Sequence, residues 1–94
     1  MKIVWSPEAL FDLADLRAYI AEDNPVAARQ VVVAILDATE LVANYPASGR
    51  PGRVPKTREL VIPKIPIIVP YRVRGKVLEV LRIYHQARRW PDHF

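Results

Sequence analysis

The sequence contains no cysteine, three glycines, two histidines and one methionine in 94 residues. Disulfides and thiolate chemistry are therefore excluded, although the absence of cysteine leaves the compartment open. His85 and His93 lie too far apart to show a recognisable ligand spacing, so neither a metal site nor a cofactor is expected. Long apolar runs are missing as well. "VVVAIL" (31–36) is far short of the roughly twenty residues that cross a bilayer, and no membrane span or small-molecule ligand is expected. The start "MKIVWSPEAL" lacks the apolar region and small-residue cleavage site of a signal peptide, which points to a cytoplasmic protein. Acidic residues are scarce in one half of the chain. Residues 1–49 hold three basic and seven acidic side chains, whereas residues 50–94 hold eleven basic and three acidic. The second half is thus suited to a negatively charged partner, nucleic acid or acidic protein, although a solvated basic surface has the same composition.

Hydrophobic residues make up 51% of the chain and charged residues 26%, the balance of a folded domain, and the length suits a single domain over residues 1–94. "KIVW" (2–5) predicts a short strand. Ser6 then caps a helix that Pro7 opens, with Glu8 near its positive end. On that helix Leu10, Leu13, Leu16 and Ile20 form the expected apolar stripe, and Glu8, Asp12, Asp15, Tyr19 and Glu22 the expected solvated face. Asn24 and Pro25 repeat the start signal for a second helix that runs to about Asn44 and is stopped before Pro46. Apart from a polar line of Gln30, Asp37, Glu40 and Asn44, on which Val33 also falls, this helix is apolar around most of its circumference. It is either sandwiched in a core or lines a protein-binding groove.

"PASGRPGRVPK" predicts a basic loop carrying Arg50, Arg53 and Lys56. Three strands follow, at Thr57 to Ile62, Ile65 to Arg74 and Lys76 to His85, with Gly75 in the turn between the last two. Pro70 cannot donate to a ladder, so an irregularity is expected around it. Alternation places Ile67, Val69, Tyr71 and Val73 on the helix-facing side of the middle strand, and Ile68, Pro70, Arg72 and Arg74 on the open side. The order β-α-α-β-β-β predicts an α+β fold, a helical hairpin packed on one face of a small, mostly antiparallel sheet.

This layout, together with "RELV" (58–61), "YRVRG" (71–75) and the ending "LRIYHQARRWP", resembles the RelE/ParE superfamily of toxins from bacterial type II toxin–antitoxin modules. The resemblance spans the whole chain and implies a small toxin neutralised by a cognate antitoxin. It also implies one of two targets: DNA gyrase for ParE-like members, or mRNA cleaved on the ribosome for RelE-like ones. The cleaving members carry cationic positions that align here with Ile68, Glu59 and Val61, and the "H-x-x-R-R-W-P" ending looks more like the ParE type, so gyrase inhibition is the favoured expectation. Tyr84 and His85 match a pair seen in some of the ribonucleases. If the chain cleaves RNA, the catalytic set is His85, Arg82, Arg72 and Tyr84, with His85 the acid–base group because an imidazole titrates near neutrality. A lone strand-end histidine is more often a structural hydrogen-bonding residue. Target binding is expected from Arg58, Arg74, Arg82, His85, Arg88, Arg89 and Trp90, the last as an interface anchor, a stacking platform or a core plug. Val33, Ile68 and Arg72 are the expected antitoxin contacts. A third reading, a basic RNA-binding domain without toxicity, predicts salt-dependent binding but gives no reason for the surplus apolar surface of the second helix.

Overall fold

The computed structural model describes residues 1–85. The chain begins with β1 (Lys2–Trp5), which leads directly into α1 (Pro7–Ala21). Ser6 caps α1 as expected, its hydroxyl accepting from the Ala9 N–H at 3.0 Å. After a short turn α2 (Pro25–Asn44) returns, capped by the Asn24 side chain on the Ala27 N–H at 3.0 Å. A 3-10 turn at Pro46–Ser48 leads to β2 (Arg50–Pro51), β3 (Arg58–Val61), β4 (Ile67–Arg74), β5 (Val77–Val80) and β6 (Tyr84–His85).

The strands form one mixed sheet in the order β1-β5-β4-β3-β2, with β6 also pairing to β4. β3, β4 and β5 make the expected antiparallel meander, and β1 joins β5 in parallel. Gly75 takes a positive φ of 59° in the two-residue turn between Arg74 and Val77, a conformation that glycine adopts without a Cβ penalty. One face of the sheet carries Ile67, Val69 and Tyr71 of β4 and Leu78 and Val80 of β5. These pack with Ala9 of α1 and Ile35, Val42 and Ala43 of α2 in a single core. The fold is the expected α+β hairpin over a sheet.

Four expectations are corrected. The loop of residues 46–56 is not structureless, because Arg50 and Pro51 form an edge strand on β3, where a proline is tolerated since its missing N–H faces outward. Arg58 donates to the carbonyls of Gly49 and Ala47 and so pins this segment. The last strand is not continuous from Lys76 to His85 but is broken at residues 81–83. The break answers the irregularity expected around Pro70: the Pro70 carbonyl takes the Leu81 N–H at 2.9 Å where β4 changes partner from β5 to β6. α1 is also turned relative to its expected stripe. Ala9 and Asp12 are buried, Leu13, Leu16 and Ile20 are partly covered, and Leu10, about 100° round the helix from Ala9, is exposed. Finally, Ile68 and Pro70 are buried although they lie on the side of β4 away from the core.

Candidate functional site

Side-chain alternation and cross-strand register decide which of the expected site residues can meet. Tyr84 pairs with Ile68 and His85 with Ile67, so the two neighbours point to opposite faces of the sheet. His85 is exposed on the helix side, at a cleft lined by Asp15, Leu16 and Tyr19 of α1 and by Ile67 and Ile83. Tyr84 is buried on the other side. The Arg82 guanidinium sits 5.0 Å above the Tyr84 ring, a cation–π contact.

The arginines are engaged with carboxylates. Arg82 grips Asp12 with two bonds, Nε to Oδ2 at 2.7 Å and a terminal nitrogen to Oδ1 at 3.1 Å. This hydrogen bond holds the Arg82 pKa above its ordinary range, against the opposing effect of burial. Asp12, a residue assigned by its position in the sequence to a solvated face, also accepts the Ile83 N–H at 3.0 Å. Arg72 and Arg74 share Glu79 on the open face, each at 3.3 Å, and Arg74 remains the more exposed of the two. Glu59, nearly sealed from solvent, accepts from Arg50 Nε at 2.9 Å and from the Arg53 N–H at 2.7 Å, tying the basic loop down onto the sheet. A buried carboxylate needs partners of this kind, because an unpaired one in the interior is strongly disfavoured.

Of the expected catalytic set, Arg82 and Tyr84 are brought together and His85 is turned to the opposite face. Arg72 and Tyr84 belong to the open side, His85 belongs to the helix side, and Arg82 is held at the rim by Asp12. A general acid–base group and its stabilising cations must converge on one reacting atom in a cleaving enzyme. Of the expected target-binding residues, Arg74 and His85 are exposed, Arg82 is one-quarter exposed, and Arg58 is occupied with backbone carbonyls. Arg88, Arg89 and Trp90 lie outside the described residues. Among the described residues no group of three or more histidines, aspartates or glutamates is gathered as metal ligands, and no helix is long and apolar enough to cross a membrane.

The expected antitoxin contacts divide in the same way. Ile68 is only 1% exposed, and Arg72 is partly covered at Glu79. Val33 stands out on α2 with Leu36 and Leu41. α2 is covered along one side by the core, and these apolar side chains stand on its exposed side among Asp37, Glu40 and Asn44. Beside it runs a groove of about 460 Å³, lined by Ala34, Ala38 and Leu41 of α2 and by Leu60, Ile62 and Pro63 at the sheet edge. Sequence reasoning missed Asp12 and Glu59. The available signal was the placement of their partners, Arg82 inside the apolar stretch "VLRIY" and Arg50 opposite "RELV".

Comparison with known proteins places this geometry among relatives. Residues 3–90 match the ParE toxin of the type II toxin–antitoxin system parDE. The chain is 48% identical over 91 residues to Y4kP of Sinorhizobium fredii, described as a candidate toxin, covering 97% of this chain and 94% of that protein. It is 32% identical over 87 residues to toxin RelE2 of Caulobacter vibrioides, covering 93% and 97%. A solved structure, from the chromosomal ParDE toxin–antitoxin system of P. aeruginosa, superposes with a TM-score of 0.79 at 30% identity, covering 90% of this chain and 95% of that one. The two-helix, mixed-sheet chain described above belongs to the ParE toxin family of type II toxin–antitoxin systems.

Proposed function

We propose that this toxin acts in the cytoplasm by binding and inhibiting DNA gyrase, without hydrolytic chemistry of its own, and that a cognate antitoxin neutralises it. The observation that carries the reading is the division of Tyr84 and His85 between opposite faces of the sheet, with Arg82 bound to Asp12 and Arg72 to Glu79. A ribonuclease needs these groups at one phosphate; a binding poison needs only a complementary surface. The basic half of the chain supports a docking role, and the exposure of Val33, Leu36 and Leu41 on α2, with Leu41 at the apolar groove, supports a protein partner.

Pulse labelling of cells after induction separates the two targets. A gyrase poison stops DNA synthesis first and leaves mRNA intact, and this is the expected result. Protein synthesis failing first, with mRNA cut at codon positions, would overturn the proposal in favour of ribosome-dependent cleavage by a site centred on His85.

A further inference from the structure

The three hydrogen bonds of Asp12 all end on the segment where β4 changes partner. Between the pairs Tyr71↔Val80 and Ile68↔Tyr84, β4 contributes two residues, Val69 and Pro70, and the opposing chain three, Leu81 to Ile83. This is a β-bulge, and an extra residue reverses the alternation of everything beyond it. Had β5 continued in its own register, Ile67 would face Tyr84, placing Tyr84 on the helix side and turning His85 to the open face. The bulge exchanges them. It also takes the N–H of Ile83, a buried residue, off the ladder, and the Asp12 carboxylate supplies the acceptor for that N–H while holding the neighbouring Arg82 side chain. Ser6 donates to the Leu81 carbonyl at 2.8 Å, so α1 and its cap grip the bulge at two points about one and two-thirds turns apart.

We propose that Asp12 is a positioning residue for toxicity: by holding the bulge at Leu81–Ile83 it keeps Tyr84 buried on the open side and turns the exposed His85 ring to the helix side, where it meets the target. This rests on the reading that the C-terminal end engages the target, and it is independent of which target that is.

The test uses the full-length chain with Asp12→Asn, which keeps an oxygen for the Ile83 N–H and gives up the charge, and Asp12→Ala, which removes both. Growth arrest on induction is measured together with antitoxin affinity, thermal unfolding, hydrogen exchange at the Ile83 amide, and nuclear Overhauser contacts from the His85 ring to Leu16. Asp12→Ala is expected to weaken growth arrest at least about tenfold, the scale of one well-placed contact. It should still unfold cooperatively and bind antitoxin, but with Ile83 exchanging freely and the contacts to Leu16 lost. Asp12→Asn is expected to restore most of the arrest along with Ile83 protection. A folded Asp12→Ala chain with wild-type arrest would overturn the proposal. Should Asp12→Ala fail to fold, Asp12→Asn decides alone: arrest kept with Ile83 protected supports the proposal, and arrest lost with Ile83 protected and His85 in place refutes it. Because growth arrest is read whatever the target, a wild-type chain that leaves gyrase untouched would count against the target only.

Discussion

At the scale of single residues, the fold is fixed by a few buried polar groups that each satisfy several partners. The Tyr71 hydroxyl donates to the Pro46 carbonyl at 2.7 Å and accepts the Gly49 N–H at 3.0 Å, and a Cβ at Gly49 would collide with the Tyr71 ring. The position therefore needs glycine for space, not for backbone conformation. Tyr71→Phe should lower the unfolding free energy by about 1–3 kcal/mol, since it leaves the buried Gly49 N–H without its acceptor; denaturant titration measures this. Burial raises the Tyr71 pKa above its ordinary value of 10.0. A raised folded-state pKa contributes stability that is intact below the unfolded value and is lost as pH rises through the folded one. Stability should thus decline above about pH 10 in the wild type, and that component should vanish in Tyr71→Phe. Arg82→Ala strands the Asp12 carboxylate and should cost on the order of 3 kcal/mol, besides weakening growth arrest. A variant as stable as the wild type would show that the pair contributes little.

Among the elements, those with strong local signals were legible in the sequence and those decided by tertiary contacts were not. Ser6 and Asn24, each followed by proline, announced both helix starts, and the capping bonds are present. Gly75 announced its hairpin and Pro70 its irregularity. The rotation of α1 was not legible, because Leu10 fits an apolar stripe as well as Ala9 does, and the carboxylate of Asp12 turns inward only for an arginine seventy residues away. The same holds for β6: its residues continue the pattern of β5, and only the Asp12 bond and the Pro70 carbonyl reveal the shift. α2 is the element whose exposed residues allow a separate test. Val33→Asp and Leu41→Glu fall on solvent-facing positions and should change stability by no more than about 0.5 kcal/mol, yet both should weaken antitoxin binding measured by calorimetry. Unchanged affinity in both variants would move the antitoxin contact off this helix.

For the whole molecule, composition anticipated a division of labour. The acidic first half supplies both helices and β1, and the basic second half supplies the other strands of the sheet, β2 to β6. Five arginines of that half are paired within the fold, Arg50 and Arg53 with Glu59, Arg72 and Arg74 with Glu79, and Arg82 with Asp12. Removing the chain after Tyr84 takes away His85 and three of the basic-half cations and aromatics singled out by the sequence, Arg88, Arg89 and Trp90. It should reduce growth arrest while leaving antitoxin binding intact; an equally toxic truncation would show the end to be dispensable. The central claim, a toxin that inhibits by binding, is tested most directly by titrating the purified protein into gyrase during plasmid supercoiling. Loss of supercoiling with cleaved DNA trapped on the enzyme, reversed by the antitoxin, is the expected result. Undiminished supercoiling at toxin in excess over gyrase would contradict it.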